Sequence, residues 1–247
     1  MWRSTAALLL LAALASHAQR PDPLKGGAEF QSADVQRLQA DEFGNPGMLW
    51  VTRGEALWKQ GCASCHHDAA VTMRGVATRY PRHDAALGRV VNLDERIRAC
   101  AARGPASAPL APESEPLLAL SAYVSRQSGG LPISVSTDGP AATVLERGRE
   151  LYFERQGQLN LACTQCHDAS WGRTLLAEKV SQGHPADWPA YRLEWQALGS
   201  LQRRLRACYF GVRAQLPPFG SPDLVALELY LADRARGLPL SPPGVRK

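Results

Sequence analysis

Cys62-Ala63-Ser64-Cys65-His66 and Cys163-Thr164-Gln165-Cys166-His167 decide the reading of this chain. Each is C-x-x-C-H, the signature of covalent haem c attachment. One helical turn separates the two thiols, so both reach the vinyl groups along one porphyrin edge while the adjacent histidine turns beneath the ring. With 6 cysteines and 6 histidines in 247 residues, chance alone gives roughly 0.004 such motifs. Two are present. A redox C-x-x-C or a four-cysteine zinc site would leave His66 and His167 unexplained, and thiols outside the cytoplasm seldom stay free for zinc. The motifs predict two covalently bound haem c groups, attached through Cys62, Cys65, Cys163 and Cys166, with His66 and His167 as iron ligands.

The flanks of the two motifs match. Arg53-Gly54-Glu55-Ala56-Leu57 precedes the first and Arg147-Gly148-Arg149-Glu150-Leu151 the second. Ile97-Arg98-Ala99-Cys100 answers to Leu205-Arg206-Ala207-Cys208, and Leu118-Ala119-Leu120 before Tyr123 to Val225-Ala226-Leu227 before Tyr230. Both stretches finish on Gly-Leu-Pro, at Gly130 and Gly237. Self-similarity on this scale is an internal duplication. In each copy a helix beginning near Thr52 or Val144 leads into the motif, and a second helix carries the lone cysteine. A third amphipathic helix, Glu115 to Arg126 or Pro222 to Arg236, closes the copy between prolines and Gly-Leu-Pro. That order of elements is that of a cytochrome c domain. The expected fold is mainly α, with two tandem cytochrome c-like domains at 44–135 and 143–247. Leu131 to Ala142, rich in Pro, Ser, Thr and Gly, reads as the linker, and residues 19–43 as an N-terminal extension that wraps the domains or a partner.

Met1 to Ala18 reads as a secretory signal: Arg3 is the positive charge, Ala6 to Ala15 the apolar run, and Ser16-His17-Ala18 a small-x-small cleavage site. The run is too short for a bilayer span, which takes about 20 apolar residues, and no other stretch is apolar enough. The expected location is the periplasm, in an oxidising compartment. The net charge of +5 comes without a Lys/Arg run, and two haems would bring four propionates to cancel it. No nucleic-acid function follows from the charge. The arginine excess suits a small inorganic anion instead.

The second copy contains no methionine, since the only three are Met1, Met48 and Met73, so its iron lacks the usual His/Met pairing. Its candidates are His184, Lys179 and Cys208. Cys208 is favoured because it falls where this fold places a distal ligand, and because Leu201, Leu205 and Cys208 at i, i+4 and i+7 share one helix face. Leu93, Ile97 and Cys100 repeat the pattern in the first copy, where Met73 and His83 are alternatives. His67 is too close to His66 to reach the opposite face. A disulfide between Cys100 and Cys208 is the bland alternative in an oxidising compartment. Arg204 lies one turn before Cys208, with Arg213 shortly after it, so both are candidates to hold an oxyanion at the sulfur. Arg96 stands in the same relation to Cys100, which fits a propionate or solubilising role equally well.

The second copy resembles the SoxA family, the dihaem subunit of the SoxAX cytochrome of bacterial thiosulfate oxidation. The residues that carry the resemblance are Cys163 to His167, Tyr191-Arg192-Leu193, Leu198-Gly199-Ser200-Leu201, Arg204, Cys208, Val212-Arg213-Ala214 and Ala226 to Ala232. It covers nearly the whole mature chain and is most specific from Gln156 to Ala235. The resemblance implies an L-cysteine S-thiosulfotransferase that pairs with a SoxX-like monohaem cytochrome c. Its implied reaction joins thiosulfate oxidatively to a cysteine of a SoxYZ-like carrier protein and passes two electrons to an acceptor cytochrome c. It implies Cys208 as the active-site cysteine, a persulfide in some members, and Arg204 as its basic companion. Two other readings compete: a dihaem thiosulfate dehydrogenase that forms tetrathionate, and a dihaem electron carrier with no chemistry of its own.

Overall fold

The computed structural model describes residues 21–103 and 109–247, so the export signal read over Met1 to Ala18 lies outside the described residues. After a short 3-10 turn at Gly27–Phe30 the chain forms α1 (Ala33–Ala40), α2 (Met48–Leu57), a π-helical turn at Trp58–Cys62, α3 (Ala63–His66) and α4 (Ala69–Thr72). The hairpin β1 (Arg82–Asp84) and β2 (Arg89–Val91) leads into α5 (Leu93–Ala101) and α6 (Glu115–Arg126). The second half runs α7 (Ala141–Phe153), α8 (Cys163–His167), β3 (Thr174–Leu175), β4 (Glu178–Lys179), β5 (Ala190–Arg192), β6 (Ala197–Gly199), α9 (Leu201–Gly211), α10 (Pro222–Arg234) and β7 (Gly244–Arg246). A long helix, a haem motif, a hairpin, a cysteine-bearing helix and a closing helix therefore occur twice. The architecture is mainly helical.

Helix α2 begins before the expected Thr52 because Asn45 closes the turn ahead of it. Its Oδ1 accepts from Gly47 N at 2.9 Å and its backbone oxygen from Met48 N at 3.0 Å. Helix α7 likewise starts ahead of Val144, on Ala141 N bonding Asp138 O at 3.2 Å. The closing helix α10 stops at Arg234, short of Arg236, and the chain turns at Gly237 with φ +89°. The cysteine helices are capped at their starts: Asn92 and Glu95 form a capping box on α5, and Ser200 Oγ accepts from Arg203 N at 3.1 Å on α9.

Both long-helix pairs, α2 with α6 and α7 with α10, cross at a glycine. A Cβ on Gly54 would lie 2.0 Å from Ala119 O, and one on Gly148 2.1 Å from Ala226 O. Backbone meets backbone there, so neither side can yield by changing a rotamer. Gly148→Ala is expected to cost about 3 kcal/mol and to lower the Tm by roughly 6–12 °C in a thermal melt. Gly61→Ala, which meets nothing within 4 Å, should leave the Tm unchanged or slightly higher.

The stretch read as a linker is packed rather than loose. Ile133 is 4% exposed and Val135 1%, and both join Val225, Leu229, Leu238 and Leu240 in one core cluster. The two Gly-Leu-Pro segments pair with each other: Gly130 N bonds Leu240 O at 2.8 Å, Leu240 N bonds Leu131 O at 2.9 Å, and Pro132 bridges Pro239. Composition signalled a linker because prolines and glycines also build this backbone-paired seam. The described part of the extension lies along the second half. Lys25 N bonds Gln182 Oε1 at 2.8 Å, Gly27 N bonds Asp187 Oδ2 at 3.0 Å, and Gln39 Oε1 accepts from Val245 N at 3.0 Å. β7 then pairs in parallel with β5, giving the sheet order β6-β5-β7.

One carboxylate is buried where the halves meet. Glu228 of α10 accepts from Asn92 Nδ2 at 2.8 Å and Gln202 Nε2 at 3.2 Å, beside a cavity of about 100 Å³ that Asp94 and Ser121 also line. Burial pushes the Glu228 carboxyl up to about 8, against the pull of its two amide donors, and the charges of Asp94 and Glu95 push the same way. The folded chain thus holds a proton that the unfolded chain loses near pH 4.5, so this group's contribution falls as pH rises from about 4.5 to 8. Glu228→Gln is expected to raise the Tm at pH 8.5 and to converge on the wild type at pH 5; equal shifts at both pH values would contradict it.

Candidate haem and thiol site

The second motif is held from several sides. Ala162 N donates to Gln165 Oε1 at 2.7 Å at the start of α8. At its end, Asp168 Oδ1 accepts from Tyr152 OH at 2.8 Å and from Arg234 Nη2 at 2.5 Å, and Arg234 is only 2% exposed. His167 Nδ1 donates to Ser181 O at 2.8 Å. A carbonyl only accepts, so Nδ1 carries the hydrogen and Nε2 keeps its lone pair for iron. Gly183, at φ +76°, brings its backbone flush against the imidazole: a Cβ there would meet His167 Cγ at 3.2 Å. That histidine is set in tautomer and orientation by its own chain.

Cys208 on α9 faces the same place. Burial raises its thiol, but Arg204 first, then a hydrogen bond and charge from His167, then Arg192 outweigh burial and bring it down to about 7. Burial pushes Cys163 up to about 12 and also raises Cys166, and in both the charge of Cys208 is the next contribution. Two motif thiols, the His167 imidazole and the Cys208 thiol hydrogen-bonded to it therefore form one group. This donor set fits haem c: Cys163 and Cys166 would attach it, and His167 and Cys208 would be its iron donors. No disulfide joins any of the six cysteines, and Cys100 and Cys208 sit against different motifs, so the disulfide between them is not made.

The first motif is arranged similarly with different supports. Trp58 lies with its ring 5.7 Å from that of His66, and its Nε1 donates to His67 O at 3.0 Å. Burial raises the Cys62 thiol, and the next cause is the charge of Cys100. Met73 packs with Trp58, Cys62, Leu93 and Ile97, so Cys100 and Met73 both lie at this motif. His83 is on β1, opposite Val90.

Other sequence candidates fall elsewhere. His184 is buried and its Nδ1 donates to Lys25 O at 2.8 Å, tying it to the N-terminal extension. Lys179 is exposed on β4. Arg213 follows the end of α9 at φ +58°, is exposed, and accepts from Gln158 N through its backbone oxygen at 3.3 Å. It is not among the leading charged groups acting on Cys208. Among the described residues no carboxylate pairs with Arg204, whereas Arg96, its counterpart in the first half, pairs with Asp84 at 3.2 Å. Sequence reasoning assigned no role to Arg192, Asp168 or Ser181. Arg192 was within reach, because laying the two hairpins on each other brings out the position.

Fold and site define a c-type cytochrome with a cysteine thiol beside the histidine of its second haem motif. Residues 48–133 match the family model of the SoxA/TsdA cytochrome c domain. The L-cysteine S-thiosulfotransferase subunit SoxA of Pseudaminobacter salicylatoxidans is 38% identical over 88% of this chain and 79% of its own length. That of Rhodovulum sulfidophilum is 36% identical over 93% and 82%. The crystal structure of SoxXA from P. pantotrophus superposes with a TM-score of 0.86 at 33% identity, over 90% of this chain and 86% of that one. The chain belongs to the SoxA family, and it carries covalently bound haem c.

Proposed function

We propose that this chain is the dihaem subunit of an L-cysteine S-thiosulfotransferase, and that Cys208 and Arg204 perform its sulfur chemistry. The observation that carries the reading is the Cys208 thiol beside His167, with Arg204 on the same helix face and no carboxylate paired to it among the described residues. The substrate is thiosulfate and the acceptor is a cysteine of a SoxYZ-like carrier protein. In the net reaction an S–S bond forms between the carrier sulfur and the outer sulfur of thiosulfate. The carrier thiol loses its proton to solvent, and two electrons leave for an acceptor cytochrome c. Haem c, when bound, supplies one-electron relay toward that acceptor. Loss of two electrons joins Cys208 to the carrier sulfur as a mixed disulfide, and the outer sulfur of thiosulfate then attacks the carrier sulfur and releases the Cys208 thiolate, which Arg204 and His167 favour. Arg204 holds the sulfonate oxygens by paired hydrogen bonds. Arg213, on the exposed surface, adds only long-range charge.

The matching glycine crossings and repeated element order support two tandem cytochrome c-like domains, 44–135 and 143–247, arisen by duplication. Cys62, Cys65 and His66 then hold the first haem and Cys163, Cys166 and His167 the second, with Cys100 and Cys208 as the opposite iron ligands. A SoxX-like monohaem cytochrome completes the complex, in keeping with the SoxXA crystal structure. Met1 to Ala18 directs export, so the complex works in the periplasm; among the described residues no helix is long and apolar enough to cross a membrane.

A second reading, thiosulfate dehydrogenase, calls for a direct contrast because the matching domain family spans SoxA and TsdA. The test is thiosulfate-driven reduction of cytochrome c by the haem-loaded complex, with and without a cysteine peptide that copies a carrier arm. Reduction that requires the peptide supports the thiosulfotransferase. Reduction without it, with tetrathionate in solution, establishes the dehydrogenase, and haems that cycle without either product leave an electron carrier.

A further inference from the structure

The hairpin and helix that deliver each lone cysteine are built alike, and one of the positions at which they differ in charge bears on the arginine that precedes the cysteine. β1–β2–α5 and β5–β6–α9 have strands of equal length, a left-handed turn residue at Gly88 or Gln196, and a polar cap at Asn92 or Ser200. Laid on each other residue by residue, Arg96 coincides with Arg204, Cys100 with Cys208, and Asp84 with Arg192. In the first half Asp84 Oδ2 neutralises Arg96 Nη1 at 3.2 Å. In the second half the same hairpin position carries a cation.

We propose that Arg192 is a second anion-binding group at the thiol site, forming with Arg204 a two-arginine cradle for the sulfonate end of thiosulfate beside Cys208. This rests on the thiosulfotransferase reading and deepens it. Arg192 is built in rather than floating: it is 4% exposed, and its guanidinium lies 4.9 Å from the centre of the Trp195 ring. Glu178 and Glu194 both hold a single nitrogen, Nη2, at 2.7 Å each. They keep a cation tolerable in a buried place. Its Nε is buried and has no hydrogen-bond partner in the structure, so one donor is left over. The Arg192 charge acts on Cys208, and that of Arg204 acts on Arg192. Two planar forks at one thiol offer a tetrahedral oxyanion more donors than either alone.

The test uses the haem-loaded chain with its monohaem partner. Thiosulfate binding is titrated calorimetrically without electron acceptor, and KM and kcat are measured with a carrier-type cysteine peptide. Arg192→Gln is expected to weaken thiosulfate binding and raise its KM about tenfold, with kcat within about twofold and the peptide KM unchanged. Arg192→Lys should recover part of the loss, since it restores charge without the fork. Glu178→Gln frees the β3–β4 hairpin and keeps the cation, so it should bind thiosulfate as the wild type does. Binding by Arg192→Gln within twofold of the wild type would overturn the cradle. So would an equal defect in all three variants, which would mark Arg192 as only a clasp for the hairpin. The two ideas fail separately. A wild type that binds thiosulfate through Arg192 but never modifies the peptide sinks the thiosulfotransferase reading and leaves the anion site standing.

Discussion

Cys208→Ser is expected to cut the coupling of thiosulfate to a carrier cysteine at least a hundredfold while both haems stay attached. On the proposed assignment the attachment sites are Cys62, Cys65, Cys163 and Cys166, so a pyridine haemochrome assay should still count two haems per chain. His167 keeps its orientation in the variant, because Ser181 O and the Gly183 backbone fix the imidazole without help from Cys208. What is lost is a soft, polarisable sulfur of thiol pKa near neutrality, replaced by a hydroxyl that does not enter thiol exchange. The ferric absorption spectrum of the second haem should shift as well, because a thiolate donates more charge to iron than any replacement ligand. Activity within a few-fold of wild type, with an unchanged spectrum, would remove Cys208 from both roles.

The double replacement of Cys163 and Cys166 by Ala has the second large effect. The haem count should fall from two to one and peptide modification should disappear, because in the proposed assignment α8 and α9 would hold one haem between them. Burial pushes the Cys163 thiol up to about 12, and its side chain packs against the core cluster of Leu151, Tyr152 and Leu227. The same change at Cys62 and Cys65 should also lower the count to one, but it leaves His167, Arg204 and Cys208 in place. Retention of two covalent haems in either variant would contradict the assignment of the motifs.

Much of this is legible in the sequence because the chain repeats itself. Glu115–Arg126 reads with its observed bounds, since Pro116 inside the first turn and the apolar periodicity mark it unambiguously. Cys208 is found by its register with Leu201 and Leu205, and it does face His167. Other features depend on contacts distant in sequence. Ile133 and Val135 read as linker because a short stretch among prolines shows no helical or strand period, yet pairing with Leu238 and Leu240 buries them. The helix starts at Met48 and Ala141 are set by local bonds to Asn45 and Asp138 that no periodicity reveals. Arg192 belongs to the resemblance with no role attached; its meaning comes from the contact of Asp84 with Arg96 in the matching hairpin. Arg213 goes the other way: near Cys208 in sequence, it lies on the exposed surface once α9 ends.

The central claim is that thiosulfate becomes bonded to a carrier cysteine at Cys208. Its most direct test is the intact mass of a carrier-type cysteine peptide after incubation with the haem-loaded complex, thiosulfate and oxidised cytochrome c. The account predicts a peptide heavier by one thiosulfate less the thiol hydrogen, stable without reductant, removed by a thiol, and absent with Cys208→Ser. A peptide of unchanged mass, while thiosulfate is consumed and cytochrome c is reduced, would contradict it.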